Sequence, residues 1–559
     1  MRLLRISLMV VAASFACVGC RGPKPNAVAA APAAAAPVAL DQDAAACAAL
    51  LELPNLTMTM AKIVEPKADT PRYCYVRGTI PPGIAYHVQL PLPASWNGRF
   101  LLWGDGTKDG DLDFADKRLA QGYAVANTNM GHEVGAEPGA SFAFDNRQAE
   151  IDFGYRAVHT TTTAAKSVVA AYYKKPAAHA YFEGCSTGGR EGLMEAQRFP
   201  NDFDGISAGA PVMYYEALNA GHTWLLQRVF RDQYAGNLAF DADHDGTPES
   251  LNKLNLLRDA VLARCDARDG ITDGVVDNPL ACDFAPARDL AAKMCASDVD
   301  ADDCLTKRQL KTIDDFYRGP YDSKGRSIIK GRAFGSESGW TEYLPYAGNK
   351  MFPEHLFNAR DHTAFLFYEK DPGVPVARAN DLSYSPDKHA TPPEWAWWEF
   401  DIDDFTAGRA DLMKSLLDAT DPDLTRFLVG HNGKLVLWHG WADAGAPPEP
   451  TFDYYGQIVG KTFGGKIDAA RERARLYMFP GMGHCGGGPG PNEWDPLTPL
   501  VTWVEQGVAP DSVVAQRVAD GRVTNERRVC AQPHTARYTG PPGQQQDPAN
   551  WVAANFTCE

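Results

Sequence analysis

One serine restricts the folds open to this chain. It stands in Gly184-Cys185-Ser186-Thr187-Gly188-Gly189, between an apolar run at 178–182 and a helix-forming stretch at 189–199. The small residues around it suit a strained strand–turn–helix elbow that exposes a single hydroxyl. Such an elbow needs a sheet in which strands alternate with helices, and the flanking sequence supplies one. Runs at 85–90, 99–103, 122–127 and 203–211 read as strands, and 150–173 reads as a helix. Alternation of this kind predicts a mostly parallel sheet. The rhythm stops between 212 and 426, where acidic loops, cysteines and aromatics follow no regular period. It resumes with strands at 434–443 and 475–480 and a helix at 499–506.

Each resumed strand ends in a residue that could serve the hydroxyl. Asp443 closes Gly440-Trp441-Ala442-Asp443, and His484 follows Gly481-Met482-Gly483. A nucleophilic serine needs a base for its proton, a carboxylate to orient the base, and donors for the oxyanion. The chain order Ser186, Asp443, His484 is that of α/β-hydrolases, and all three residues fall beyond carboxyl ends of strands, where open α/β sheets bind ligands. The fold expected is therefore an α/β-hydrolase core, 44–211 and 427–559, with a large inserted lid domain, 212–426. The backbone N–H of Thr187 is one expected oxyanion donor. The second is expected from Gly104-Asp105-Gly106-Thr107, at Gly106. Singly, a GxSxG frame, an Asp after a strand and a lone His are each common structural features. Their order, and the cysteines beside two of them, favour a catalytic set. A bridge between Cys185 and Cys485 would hold their Cα atoms within about 4.4–6.8 Å. Ser186 and His484 would then be neighbours, whether the bridge serves catalysis or only staples the fold.

The first twenty residues read as an export signal, with Arg2 and Arg5 ahead of a short apolar run. Gly19-Cys20 offers a lipoprotein cleavage site, although Cys17 stands where a branched apolar residue is usual; ordinary signal cleavage is the alternative. Residues 21–43 are an Ala/Pro-rich linker. The expected location is the periplasm, the outer membrane through a lipid anchor, or the medium. Of twelve cysteines, ten remain beyond Cys17 and Cys20, an even number in an exported chain. No CxxC pair occurs, so a disulfide framework is expected rather than a metal–thiolate site. Cys47 pairs with Cys74, and Cys530 with Cys558, in this reading. A net charge of −16 argues against nucleic acid as a partner.

On Gly184-Cys185-Ser186-Thr187-Gly188-Gly189, Asp443 and His484-Cys485, the chain resembles the tannase and feruloyl esterase family. The resemblance covers most of the chain beyond the linker and includes the lid. It implies the Cys185–Cys485 bridge, the triad on Ser186, Asp443 and His484, and hydrolysis of small aromatic esters by an acyl-enzyme route with no organic cofactor. The family acts on galloyl, feruloyl and terephthaloyl esters. Its mono(2-hydroxyethyl) terephthalate hydrolases carry an aromatic residue three positions after the acid. Ala446 stands there, which puts feruloyl or galloyl esters ahead. The acidic, glycine-broken run 265–275 suits a hard cation with oxygen ligands. It resembles the family's calcium loop, with the carboxylates of Asp266, Asp269 and Asp273 and the carbonyls of Ile271 and Val275 as ligands of a structural ion. A solvated acidic turn is the alternative. Cys265–Cys282 and Cys295–Cys304 are the expected lid bridges. The run 241–246 opens like an EF-hand loop but reaches Asn252 where a bidentate Glu is needed, so it reads as a polar loop. Trp395, Trp397, Trp398 and Phe400 could stack on a flat acyl group, with Trp397 and Trp398 the candidates for contact; as lid core they would need no ligand. A serine peptidase and a non-catalytic surface-binding lipoprotein are the competing functions.

Overall fold

The computed structural model describes residues 41–108, 110–243, 245–370 and 397–559. The export signal, Cys20, most of the linker, His244 and Trp395 lie outside these. The first helix, Gln42–Ala48, opens just inside the stretch assigned to the linker.

The core is a nine-stranded sheet in the order β1-β2-β3-β5-β4-β6-β7-β8-β9. The strands are β1 Thr57–Val64, β2 Tyr73–Ile80, β3 Ile84–Pro91, β4 Arg99–Trp103, β5 Ala124–Thr128, β6 His179–Cys185, β7 Gly205–Gly209, β8 Lys434–Gly440 and β9 Ala474–Phe479. From β5 through β9 every neighbouring pair is parallel, as the alternating sequence predicts. β1, β2 and β3 depart from that expectation. They form an antiparallel meander, and β3 also runs antiparallel to β5. Pro81-Pro82-Gly83 joins β2 to β3 and is too short for the crossover that a parallel pair requires.

The parallel strands are buried on both faces and alternate between two cores. Phe100, Leu102, Phe182, Leu435 and Leu437 point into one apolar cluster, while Leu101, Tyr181 and Val436 point into the other. Helices Ala157–Tyr173 and Glu449–Phe463 cover the first face, and helix Leu497–Gln506 covers the second. The first cluster continues without a break into the segment between β7 and β8, through Trp224, Leu257 and Trp340. That segment contributes no strand to the sheet among its described residues.

The chain order changes direction at β4. The connection leaving β4 returns on one side to β5, whereas β6 continues on the other side to β7. A crevice therefore opens beyond the carboxyl ends of β4 and β6, the usual ligand position in an open α/β sheet. Buried charges fix its floor. Arg118 reaches Glu183 of β6 with two nitrogens, at 2.8 and 2.7 Å, and Asp495 at 2.8 Å. Arg190, buried in the first turn of the helix after β6, donates to the carbonyls of Gly154, Phe153 and Leu417 at 2.9, 3.1 and 3.3 Å. Arg190 thus ties the elbow helix to the helical turn Asp152–Arg156 and to the inserted segment. Five disulfides add to this: Cys47–Cys74, Cys185–Cys485, Cys265–Cys282, Cys295–Cys304 and Cys530–Cys558, the pairs expected from the sequence.

Candidate active site

Ser186 sits between β6 and the helix Thr187–Arg198, with φ 64° and ψ −120°. This backbone is costly for a residue with a side chain, and close packing around the turn maintains it. A Cβ on Gly184 would approach the backbone of Gly188 to 2.7 Å, and one on Gly189 would meet the carbonyl oxygen of Gly209 at 2.2 Å. Only glycine lets the elbow close this tightly. Ser186 N donates to Gly209 O at 3.0 Å, which fixes the turn to β7.

His484 reaches Ser186 from the loop after β9. Ser186 Oγ donates to His484 Nε2 at 2.8 Å, and His484 Nδ1 donates to Asp443 Oδ2 at 2.6 Å. The Cys185–Cys485 bridge lies beside this contact, with a Cα separation of 6.0 Å across 300 residues of sequence. Asp443 is fully buried after β8. Its Oδ1 accepts from the Ala446 N–H at 2.8 Å, and its Oδ2 also accepts from His439 Nε2 at 3.0 Å. His439 was not singled out in the sequence, although it stands four residues before Asp443 at the end of β8. Its Nδ1 accepts from the Thr451 hydroxyl at 2.8 Å, which leaves Nε2 as the donor toward Asp443.

The charges around this chain of bonds are strongly coupled. Burial works to raise the Asp443 carboxyl, but the neighbouring His484 and the hydrogen bond from His439 outweigh it and hold the group well below the carboxylate range. Burial works against protonation of His484. The charge and hydrogen bond of Asp443, aided by Glu342 and Glu354, overcome it and push the imidazole up to about 9. In its neutral form, which fills as pH rises through about 9, an imidazole oriented by a buried carboxylate can take the proton of the bonded hydroxyl as the oxygen attacks.

The oxyanion candidates lie beside the serine. Thr187 opens the helix, and its hydroxyl donates to Thr107 O at 2.6 Å, while Gly188 N donates to Asp105 O at 2.6 Å. The loop containing Gly106 is thereby docked on the first turn of the elbow helix. A cavity of about 280 Å³ opens on Ser186, Thr187 and His484, with Ala446 in its wall. Thr107 and Gly445 add to it from the core, and the inserted segment supplies the rest, including Tyr215, His222, Glu342, Glu354 and His355. None of these was singled out in the sequence.

Trp397 and Trp398 do not line this cavity, contrary to the expectation of contact with an acyl group. Gln227 Nε2 donates to the carbonyls of Trp397, Trp398 and Phe400 at 3.2, 3.3 and 2.9 Å, which ties the segment to helix Tyr215–Tyr234. The Trp397 ring then packs edge-on against Phe230 at 5.3 Å, as lid core. In the run 241–246, Asp241 and Asp243 accept from the backbone N–H of Asp245, a polar loop that satisfies its own turn.

In the loop 265–275 the structure adds two residues absent from the sequence reading. Asp277 joins Asp266, Asp269 and Asp273, and Arg527 of the C-terminal hairpin donates to Asp269 at 2.5 Å, Asp277 at 2.6 Å and Asp273 at 3.3 Å. Burial, with Asp269, Asp266 and Asp277, outweighs Arg527 and pushes Asp273 up to about 7. One guanidinium thus leaves carboxylate charge unmatched. The all-oxygen donor set and this excess of negative charge fit a hard divalent cation.

A family model described as "Tannase and feruloyl esterase" matches residues 71–553. The mono(2-hydroxyethyl) terephthalate hydrolase of Piscinibacter sakaiensis is 34% identical over 542 residues, covering 87% of this chain and 85% of that protein. A probable feruloyl esterase of Arthroderma benhamiae is 30% identical, covering 82% of this chain and 80% of that protein. Feruloyl esterase B from Aspergillus oryzae superposes with a TM-score of 0.75 at 23% identity, over 92% of this chain and 100% of that chain, which shows a shared fold.

The His484–Asp443 coupling has a measurable consequence. In an NMR titration the His484 ring is expected to titrate near pH 9, well above the ordinary 6.5. Asp443→Asn should lower that midpoint. Because the folded value is raised, the stability that the charged pair contributes is fully present below about pH 6.5 and lost as pH rises through about 9. A midpoint at or below 6.5 in the wild type would contradict the coupling.

Proposed function

The chain belongs to the tannase and feruloyl esterase family and is a carboxylic ester hydrolase, and from that premise we propose that it cleaves aromatic esters with Ser186 as nucleophile. The observation that carries this reading is the unbroken hydrogen-bond chain Ser186–His484–Asp443, whose first two members line the cavity.

In the proposed reaction Ser186 Oγ attacks the ester carbonyl while its proton passes to His484 Nε2. Asp443 keeps the Nδ1–H of His484 oriented and stabilises the imidazolium. The N–H groups of Thr187 and Gly106 stabilise the tetrahedral oxyanion; loss of one such donor typically costs about 100- to 1000-fold in rate. His484 then returns the proton to the departing alcohol oxygen as the C–O bond breaks, leaving an acyl-Ser186 ester. Water, deprotonated by His484, attacks that ester, and His484 returns the proton to Ser186 Oγ as the acyl C–O bond breaks and the acid leaves. His439 does not touch substrate in this scheme. It is a positioning residue that holds the second lone pair of Asp443 Oδ2.

Feruloyl- or galloyl-type esters are the proposed substrates. Ala446 in the cavity wall supports this, since the position three after the acid carries no ring. A second reading, a mono(2-hydroxyethyl) terephthalate-type hydrolase, has the named Piscinibacter relative in its favour. Export is proposed as well, because five disulfides form and persist in an oxidising compartment. No described helix is long and apolar enough to cross a membrane. A lipid on Cys20 is proposed from the Gly19-Cys20 pair alone.

A structural calcium ion is proposed for the lid loop. Asp266, Asp269 and Asp273, with the carbonyls of Ile271 and Val275, would hold it. It would balance the carboxylate charge that Arg527 leaves unmatched, and it has no part in the ester chemistry.

Ser186→Ala should reduce turnover of methyl ferulate by about 10⁵-fold or more while the fold is retained; a variant that keeps wild-type turnover would overturn the serine mechanism. For calcium, chelation with EDTA should lower the melting temperature, and added Ca²⁺ should restore it. A melting temperature indifferent to both would show that Arg527 alone suffices.

A further inference from the structure

The cavity at Ser186 has an acidic wall. Glu342 and Glu354 both line it, and its described lining contains no lysine or arginine. Glu342 is held in place. Its Oε2 accepts from His355 Nε2 at 3.0 Å. The His355 ring is buried between His222, at 4.1 Å between centroids, and Tyr343, at 4.4 Å. His222 in turn donates its Nε2–H to the Gly445 carbonyl at 2.9 Å, two residues beyond Asp443. The stack therefore fixes Glu342 to the loop that carries the acid. With 30% of its side chain exposed, Glu342 keeps acceptor capacity beyond the bond to His355. Glu354 precedes His355 in the chain and is exposed.

Two buried cations in the field of His222, a wall residue, are directed elsewhere. Arg332 is buried and donates to the Tyr343 hydroxyl and to the carbonyls of Ala444 and Gly445, the latter two at 2.8 and 3.3 Å. Lys108 is buried in the field of Asp361 and Glu216. Neither lines the cavity. Glu342 and Glu354 line the same cavity as His484, and both favour its protonated form.

We propose that Glu342 and Glu354 form an acidic subsite that selects aromatic esters bearing hydroxyl donors and rejects those bearing a second, free carboxylate. This rests on the ester-hydrolase reading above and refines its substrate class. A phenolic O–H can donate to a fixed carboxylate in a charge-assisted hydrogen bond, stronger than one between neutral groups. A terephthalate monoester instead brings a like charge into a cavity partly closed to water, where repulsion is weakly screened. The same wall therefore favours one end group and opposes the other. An ester whose hydroxyls are methylated loses the favourable bond without gaining the repulsion.

The test measures kcat/KM for methyl ferulate, its O-methylated analogue and mono(2-hydroxyethyl) terephthalate in wild type, Glu342→Gln and Glu354→Gln. Ratios taken within one protein cancel any general loss of activity. In wild type, methyl ferulate should exceed each of the others by about tenfold or more, and both gaps should narrow in the variants. Added salt should speed only the terephthalate monoester, an arm that needs no variant. A wild type that prefers the terephthalate monoester, or ratios unchanged by both substitutions and by salt, would overturn the subsite. Turnover of para-nitrophenyl acetate by wild type separates this outcome from failure of the parent reading. If that neutral ester is also inert, ester hydrolysis itself fails; if it is cleaved with the ratios unchanged, only the subsite does.

Discussion

The covalent bond between Cys185 and Cys485 joins the end of β6 to the loop after β9, which the sheet alone only brings near each other. β6 and β9 are not neighbours; β7 and β8 lie between them. The loop after β9 must therefore reach across two strands to bring His484 over Ser186. That loop is rich in glycine, with Gly481, Gly483, Gly486, Gly487 and Gly488, and such a sequence has much backbone freedom to lose. A crosslink at the residue beside each partner removes most of that freedom where a 2.8 Å hydrogen bond is needed. General-base catalysis is sensitive to displacements of this size, because reacting groups must be held near contact distance.

The remaining geometry follows from placing charge where water is absent. Asp443 is fully buried and remains ionised because two imidazoles and a backbone N–H surround it. The Arg118–Glu183 pair plays a comparable role one layer below the elbow, and removing either partner would leave an uncompensated buried charge. Farther out, Glu342 is partly buried and Glu354 exposed, and both line the cavity. The same electrostatics thus orients the proposed base and, in the acidic-subsite proposal, sorts the substrates that reach it.

Much of the core was legible because its signals are local. The elbow needs small residues at fixed offsets from one serine, and Asp443 and His484 each follow a continuous apolar strand. The cysteines carried longer-range information, since two adjacent dipeptides identified loops 300 residues apart. The antiparallel meander β1–β3 was not read, because a turn as short as Pro81-Pro82-Gly83 decides strand direction more than strand composition does. The acidic wall was not legible either. Glu342, Glu354 and His355 come from an inserted segment without strand or helix periodicity, and only tertiary packing brings them to Ser186. Trp397 shows the reverse error: an aromatic cluster suggested a ligand, but Gln227 draws its backbone to a helix and its ring into the core. Arg527 was missed for the same reason as the wall, since a distant hairpin delivers it to the acidic loop.

The central claim is that the crosslink holds the base on the nucleophile. Steady-state kinetics of the Cys185→Ala/Cys485→Ala double variant test it most directly, with folding checked by circular dichroism. The account predicts a folded protein whose kcat for methyl ferulate falls by about tenfold or more while KM changes little, the pattern of a misplaced catalytic group. A folded double variant with an unchanged kcat would contradict it and reduce the bridge to a staple of the fold.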